Sequence, residues 1–393
     1  MATLTRDEAA KRFEELPLPT TADEHWRFTD LRGFDPSSLP ANGHVQGQSL
    51  AMLDLDVAGR ARVTETGIEI LSAPEGVTFE PLPADYPAEI VPDDDKFAVE
   101  NLSRWRHGLL VHVPKGVELE KPLDVQVTSS GGSLYWRMVV RADEGARFTL
   151  IEDLGSAGRD TLAYTNAVVE LFVAPAAKIE YVSLQNLSQE TWHFGRHRAL
   201  LQRDSELDWV LGGFGSKRGK VWIENDLVGE GATSRVTGAY FADGEQHLDY
   251  DTFQEHIAPN TTSDFAFKGA LRDHATAVWR GMIKVEKDAQ KTNAYQENRN
   301  LILSERAHAD SIPGLEIEAN DVRCTHGATI SPVNRDELFY AMARGISRGE
   351  AERLIVRGFF TDVLNRIELE PVREAVTDAL EARIPRAYAR APR

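Results

Sequence analysis

The 393-residue sequence contains one cysteine, Cys324, and no run of apolar residues long enough to cross a membrane as a helix. A single thiol excludes an internal disulfide framework and is typical of a reducing compartment. The first residues, from Met1 to Glu8, also lack the apolar core of a signal peptide. These absences lead us to expect a cytoplasmic protein that does not contact the membrane.

Positive charge is also scarce. The chain has 44 lysines and arginines against 62 aspartates and glutamates, a formal net charge of −18. Such a field repels nucleic acid backbones and anionic lipid headgroups at long range, so neither is expected as a partner. With 42% hydrophobic and 27% charged residues, the composition is that of a globular protein with a sizeable core.

A phosphate-binding loop is missing. Residues 212–220 are rich in glycine, but a phosphate loop would need glycine at Phe214 and serine or threonine at Val221. We interpret the segment as a glycine-rich turn, and we expect no nucleotide binding by this chain alone.

A metalloprotease motif is also missing. His193 and His197 lie four residues apart, but Phe194 stands where that motif needs glutamate. On a strand the two rings would be about 13 Å apart at ~3.3 Å per residue, so we predict a surface or hydrogen-bonded pair. No serine nucleophile motif or paired carboxylates occur either, and we predict that the chain is not an enzyme.

The sequence divides into three regions. Residues 1–95 form a helical and mixed region, in which Thr5 is the predicted N-cap of a helix that Pro17 ends. An acidic, proline-containing segment, residues 84–95, has the composition of a linker. Residues 96–332 form a β-rich core, and residues 333–393 form a helical domain.

The β-rich core carries a loose repeat. A small residue at a predicted turn precedes an alternating strand near Gly145, Ala176, Ser205 and Gly231, roughly 25 to 31 residues apart. Short strands at this spacing permit a β-sandwich, a barrel or a β-helix. The repeat slightly favours the β-helix, but periodicity alone leaves the three open.

The C-terminal region is predicted to contain three helices. Asp336 is the expected N-cap of the first, which ends at Gly345. Residues 347–350 have the pattern of a capping box for the second, and Pro371 begins the third. We expect these helices to cover the open end of the β-core, to form a docking platform, or to do both.

One local cluster has ligand chemistry. Cys324 and His326 are separated by one residue, so on a strand both side chains point to the same face. Thiolate and imidazole suit iron–sulfur or zinc chemistry, and Asp321 is a candidate oxygen ligand. Two ligands do not complete a tetrahedral site, so further ligands would have to come from a second chain. A structural cysteine beside a hydrogen-bonded histidine remains the alternative.

Several segments, in this order along the chain, resemble the SufB/SufD family of iron–sulfur cluster assembly scaffolds, in particular its SufD branch. They are residues 24–29 (EHWRFT), 113–122, 297–304, 313–329, 338–340 and 343–346. The resemblance covers nearly the whole chain, and its C-terminal part is the most specific.

The resemblance implies a right-handed parallel β-helix core flanked by N-terminal and C-terminal helical regions. It also implies pairing with SufB through the C-terminal part of the β-helix and binding of the SufC ATPase through the C-terminal helices. A transient iron–sulfur cluster would form at the SufB interface, with no permanently bound cofactor. A reduced flavin in the complex and a homodimer of the isolated chain are further options that it leaves open.

Residue by residue, the SufD histidine implicated in cluster building falls on His326 and the neighbouring cysteine on Cys324. SufB carries an essential cysteine in the segment that matches residues 295–300, where this chain has none, and a glutamate where Gly327 stands. Both departures favour SufD. The alternatives are a SufB-like or homodimeric paralogue, an adaptor that only holds SufC, and a β-helix enzyme acting on polysaccharides.

Overall fold

The computed structural model describes residues 4–39 and 52–384. The strands of these ranges are β1 (Gly59–Thr64), β2 (Gly67–Ser72), β3 (Thr78–Pro81), β4 (His107–Val113), β5 (Leu123–Ser129), β6 (Ser133–Ala142), β7 (Arg147–Ser156), β8 (Ala163–Val173), β9 (Lys178–Asn186), β10 (Thr191–Leu201), β11 (Glu206–Gly213), β12 (Arg218–Leu227), β13 (Thr233–Ala242), β14 (His247–His256), β15 (Thr262–Leu271), β16 (Thr276–Val285), β17 (Asn293–Ile302), β18 (His308–Ile317) and β19 (Arg323–Pro332). The helices are α1 (Arg6–Glu15), α2 (Lys96–Arg104), α3 (Arg335–Ala343), α4 (Arg348–Leu364) and α5 (Glu370–Ala382), with short 3₁₀ helices at Glu24–Trp26 and Pro36–Ser38.

The strands form a parallel β-solenoid with two sheets. One sheet has the order β19-β17-β15-β13-β11-β9-β7-β5-β1-β2, and the other β18-β16-β14-β12-β10-β8-β6-β4-β3. Each strand from β4 to β17 therefore pairs in parallel with the strand two places further along the chain, which lies one coil higher. The predicted β-helix core with flanking helices is confirmed, and the sandwich and the barrel are excluded.

The turns explain the repeat seen in the sequence. One turn of each coil contains a residue with positive φ, and its backbone N–H donates to a carbonyl of the next coil. The bonds run from Gly145 to Pro175 (3.0 Å), from Ala176 to Arg203 (2.9 Å), from Asp204 to Glu230 (2.9 Å), from Gly231 to Pro259 (3.4 Å) and from Asn260 to Gln290 (2.9 Å). Glycine, and after it asparagine and aspartate, tolerate this backbone region best, and they occupy four of these five positions, with Ala176 as the exception. The repeat is therefore a ladder of stacked turns.

The two ends of the solenoid differ. At the first end, β2 and β3 pair antiparallel with β1 and β4 and cover the sheet edges. At the other end, no strand of residues 4–39 or 52–384 pairs with the outer edges of β18 and β19. We call this second end the open end. β1 precedes residue 96 in the sequence but pairs in parallel with β5, as part of the same sheet.

The N-terminal helical segments pack on the outer face of the nine-stranded sheet, where α2 contacts β6, β8 and β10 and α1 lies against α2. α1 begins as predicted, with a capping box formed by Thr5 and Glu8. α2 was not predicted; its N-cap is Asp95, the last residue of the proposed linker. Within residues 24–29, Trp26 is buried in an aromatic cluster with Phe97 and Phe194.

The second half of this N-terminal motif covers a buried ion pair. The Thr29 hydroxyl donates to Asp249 (2.5 Å), whose carboxylate also accepts from Lys220 Nζ (2.8 Å). Both ionic side chains are nearly inaccessible. The motif therefore ties the N-terminal segment to strands β12 and β14, more than 180 residues later in the sequence.

The C-terminal helices were expected to cover the open end of the β-core. They lie instead on the outer face of the ten-stranded sheet. Val356 and Phe360 of α4 share one apolar cluster with Phe241 and with Val376 of α5. The predicted cap Asp336 is also wrong: Asn334 accepts from the N–H of residue 336 (2.9 Å), so α3 begins two residues earlier. Ser347 caps α4, and Pro371 lies in the first turn of α5.

No helix within the described ranges has the length and apolarity to span a membrane.

Candidate functional site

Cys324 and His326 lie on β19, the edge strand of the open end. In the parallel register Cys324 is beside Ala294 and His326 is beside Gln296 on β17. Ala294 and Gln296 are both buried in the solenoid interior. Because side chains two residues apart share a face, Cys324 and His326 both belong to the inward-facing row of the last coil.

The two side chains differ in exposure. Cys324 is half-buried and packs against an apolar cluster that includes Ile283 and Ala294. This burial raises the pKa of the Cys324 thiol, which keeps the sulfur protonated and weakens it as a ligand when the chain is alone. His326 is exposed, although it is on an inward-facing row, because no further coil of the described residues stacks above it. No hydrogen bond of the His326 ring to another described residue is present.

The open end exposes apolar side chains and strand edges without partners. Leu315 and Ile317 on β18 and Ile330 on β19 are 36%, 41% and 46% exposed, although their rows face inward in the coils beneath. The outer backbone groups of both strands also lack a strand partner among the described residues. Exposed strand edges beside apolar side chains are a template for pairing with another chain.

Beneath the open end lies a layer of buried amides. Gln296, Asn298 and Asn300 occupy the inward positions of β17 and are almost fully inaccessible. Asn298 Nδ2 donates to the hydroxyl of Tyr240 (3.2 Å), which in turn donates to Asn300 Oδ1 (2.7 Å). Residues 296–300 therefore present three amides to the interior of the solenoid.

The chain by itself offers an incomplete metal site. Within the described ranges, no three histidine, cysteine, aspartate or glutamate side chains are arranged to hold a metal ion. Asp321 lies in the turn before β19, where its backbone carbonyl accepts from Lys291 N (2.6 Å). The structure therefore brings Cys324 and His326 to one face, and the part of the chain that it describes supplies no third ligand.

A second exposed apolar surface lies on the C-terminal helices. Phe339, Tyr340 and Met342 of α3 are 73%, 61% and 44% exposed, and Leu354 of α4 is 49% exposed. A groove of about 520 Å³ runs between these helices and the end of β19, and Leu354 lines it. We call these four residues the α3–α4 surface.

The other predicted sites have different roles. His193 and His197 both lie on strand β10, and both are buried in the interior of the solenoid. The prediction that they form a surface pair is therefore wrong. His193 Nδ1 contacts the Thr165 hydroxyl (2.8 Å), whereas both ring nitrogens of His197 are buried without a described partner, and its ring stacks on Trp209. The glycine-rich segment contains the predicted turn, which is confined to residues 214–217, while its two ends belong to β11 and β12.

Sequence reasoning missed the amide layer. Its signal was present, since residues 296–300 read Gln-Glu-Asn-Arg-Asn with amides at alternate positions. Hydrophobic patterning assigns polar residues to the solvent side of a strand, and only the stacked coils show that these amides face inward. The Thr29–Asp249–Lys220 contact also could not be foreseen, because it joins distant segments.

These features define the class of the protein, a parallel β-solenoid that carries a thiol and an imidazole on the edge strand of its open end. Comparisons with known proteins agree with this class. Residues 125–359 match the family described as SUF system FeS cluster assembly, SufBD core domain.

Curated proteins with this family name are similar over much of the chain. An iron–sulfur cluster assembly SufBD family protein of Mycobacterium leprae is 28% identical over 381 residues, which cover 93% of this chain and 90% of that protein. One of Staphylococcus epidermidis is 31% identical over 294 residues, 74% of this chain and 63% of that protein. One of Mycobacterium tuberculosis is 29% identical over 376 residues, 93% and 89% of the two chains.

The chain belongs to the SufBD family of iron–sulfur cluster assembly proteins.

Proposed function

We propose that this chain is a SufD-like scaffold subunit without catalytic activity of its own, which pairs with a SufB-type subunit and binds a SufC ATPase. The observation that carries the proposal is the open end, where His326 is exposed beside unpaired strand edges. A nascent iron–sulfur cluster is the cargo of this site and not a resident cofactor. The buried amides of β17 stand in the segment where SufB has its cysteine. This difference favours a SufD-like over a SufB-like role.

Pairing through the open end follows from its chemistry. A partner strand that adds to the edge of β18 or β19 would satisfy the free backbone groups and cover Leu315, Ile317 and Ile330. The same strand would bring its own side chains next to His326. The ligands that this chain lacks would then come from the partner, as a tetrahedral thiolate and imidazole site requires.

ATPase docking is assigned to the α3–α4 surface. Three of its side chains are aromatic or methionine, the residue types enriched at the centres of protein interfaces. α4 is anchored to the solenoid by Lys268, whose Nζ donates to the Phe359 carbonyl (2.6 Å). A force applied to the helices would therefore reach β15, two strands from His326 in the same sheet.

The test is coexpression with SufB and SufC, followed by anaerobic iron and sulfide analysis of the purified complex. His326→Ala is expected to leave the complex intact and to abolish cluster formation, whereas Cys324→Ser should have a mild effect. His308→Ala is the matched control. His308 is also an exposed histidine, on β18, but it pairs with Asp310 and does not belong to the inward-facing row. Flavin content would be measured on the same samples.

Several results would overturn the proposal. ATP turnover by the isolated chain, or stoichiometric iron and sulfide bound without partners, would contradict a non-catalytic scaffold. A homodimer that persists in the presence of SufB would assign the open end to a second copy. Normal cluster formation by His326→Ala would reduce the chain to an adaptor for SufC.

A further inference from the structure

A pocket of about 480 Å³ lies at the covered end of the solenoid, opposite the open end. It is lined by Arg6 of α1, by Arg104, Arg106 and His107 around the junction of α2 and β4, and by Tyr135 of β6. Its volume is in the range of small-molecule sites, about 300 to 1,000 Å³. In a chain of net charge −18, three arginines and a histidine around one pocket are a marked local excess of positive charge.

Two of the arginines are held in place by the surrounding structure. Arg6 Nη2 donates to the Trp105 carbonyl (2.8 Å), and its guanidinium group lies 4.8 Å from the centre of the Trp105 ring. Arg104 Nη1 donates to the Tyr135 hydroxyl (3.2 Å) and lies 3.4 Å from Glu100 Oε1. Each guanidinium has five N–H donors, so these contacts fix the groups and leave further donors available.

Arg106 and His107 have no counter-ion among the described residues. No hydrogen bond or ion pair joins the Arg106 guanidinium to them. Burial lowers the pKa of His107, a hydrogen bond from its ring to the Glu65 backbone carbonyl opposes this shift, and the charge of the neighbouring Arg106 lowers the pKa further. One ring nitrogen therefore faces Glu65 and the other is available to a ligand. The Glu65 carboxylate also lines the pocket, but it accepts from the N–H (2.8 Å) and hydroxyl (2.6 Å) of Ser130 and from the hydroxyl of Ser129 (3.2 Å).

We propose that this pocket binds a small anion with a phosphate or carboxylate group, held between Arg106 and His107. Arginine binds both groups in a bidentate manner through charge-assisted hydrogen bonds. Arg104 and Arg6 supply positive charge at the margin, and the apolar body of an organic anion would rest on Leu134. The site is independent of the open end and of the assembly function proposed above.

Bound anion should change the protonation of His107. The charged and titratable groups around this imidazole are Arg6 of α1, Glu65 of the β1–β2 turn, Glu100 and Arg104 of α2, Arg106, and Tyr135 of β6. A bound anion adds negative charge beside His107 and favours the imidazolium ion. For an anion whose own charge is constant in this range, binding is therefore expected to tighten as the pH falls from 8 to 6, which arginine alone would not produce.

The test is titration of the full chain with sulfate, which mimics the phosphate group, and separately with benzoate, which presents a carboxylate, by calorimetry and by NMR of the histidine rings. Both probes keep a constant charge between pH 6 and 8, so a pH dependence reports on the protein. At least one probe should bind saturably at pH 6, bind more weakly at pH 8 and raise the pKa of His107. The preferred probe tells whether phosphate or carboxylate chemistry is recognised. Arg106→Gln should weaken binding about tenfold or more, the contribution of one charge-assisted hydrogen bond.

Arg306→Gln is the matched control, because Arg306 is another exposed arginine that does not line the pocket. It should leave the affinity unchanged. Absence of saturable binding by both probes would overturn the proposal, as would equal affinities of Arg106→Gln and the wild type. An unchanged His107 pKa in the saturated wild-type protein would also contradict it, and this measurement does not depend on the folding of any variant.

Discussion

Gln296 on β17 lies directly beside His326 in the parallel register, fully buried where His326 is exposed. Its side-chain Nε2 donates to the carbonyls of Gly314 (3.0 Å) and Gly281 (3.3 Å), on β18 and β16. One amide thus joins three strands below the imidazole. The open end is therefore supported by a buried polar group and not by apolar packing alone.

We predict that Gln296→Leu destabilises the protein and impairs cluster assembly. The change leaves two interior carbonyl groups without these donors, which costs about 1–3 kcal/mol, and it loosens the strands that position His326. Urea unfolding measures the first effect, and iron and sulfide content of the coexpressed complex the second. Gln202→Leu, in an exposed turn, is the control and should change stability by less than about 0.5 kcal/mol. Unchanged stability of Gln296→Leu would show that the amide does not support the site.

We predict that Ile330→Glu prevents pairing at the open end and leaves the fold intact. Ile330 is 46% exposed in the free chain, so the charge is tolerated there, but a partner that covers it would bury an unpaired carboxylate at about 3 kcal/mol or more. Affinity for the SufB-type subunit should fall about 100-fold, as measured by calorimetry. Leu162→Glu is the control, because Leu162 is 56% exposed and lies in the turn between β7 and β8. Equal affinities of the two variants would place the interface elsewhere.

We predict that Phe339→Glu weakens binding of the ATPase without affecting the solenoid. Phe339 is 73% exposed, so its replacement removes little packing within the chain. Removal of α3 to α5 is a poorer test, because α4 and α5 share a core with the ten-stranded sheet and their loss would expose Phe241. Copurification with SufC should fall for Phe339→Glu and remain normal for Leu18→Glu, an exposed leucine near the N-terminus. Full ATPase binding by Phe339→Glu would contradict the assignment.

We predict that His197→Phe reduces the loss of stability at acidic pH. Burial lowers the pKa of His197 to about 3, below the value of about 6.5 expected in the unfolded chain. The unfolded state therefore binds this proton first, and stability is lost as the pH falls from about 6.5 towards 3. Between pH 6.5 and 5 the wild type should lose about 1.5 kcal/mol more than His197→Phe.

Urea unfolding at several pH values provides the measurement. Burial raises the pKa of Asp153 to about 7 and that of Asp226 to about 6, which opposes the trend, but both variants share these groups. His193→Phe is a useful comparison, since the pKa of His193 is also about 3 but its ring contacts Thr165. In His193→Phe the free energy of unfolding should depend on pH as weakly as in His197→Phe. It should also be lower than that of the wild type at pH 6.5, because the contact with Thr165 is lost. Parallel pH profiles for the wild type and His197→Phe would contradict the prediction.

Much of the fold could be predicted because its rules are local. Turn residues such as Gly145 and Gly231 have positive φ, and their preference for that conformation repeats once per coil in the sequence. Helix caps such as Thr5 and Ser347 were found for the same reason. The cap of α3 was misplaced by two residues, since Asn334 and Asp336 are both good N-caps and only the backbone geometry distinguishes them.

The sequence by itself determined that Cys324 and His326 share one face of a strand, because side chains alternate with a period of two residues. Only the tertiary structure decided that this face is the interior row of the last coil, which is exposed because the stacking of coils ends there. It also decided that Gln296 lies beneath His326 and that Arg6 and Arg106 line one pocket at the other end. These contacts join residues about 30 to 100 positions apart, and their pairing depends on which coils and helices stack, a choice that no local preference encodes.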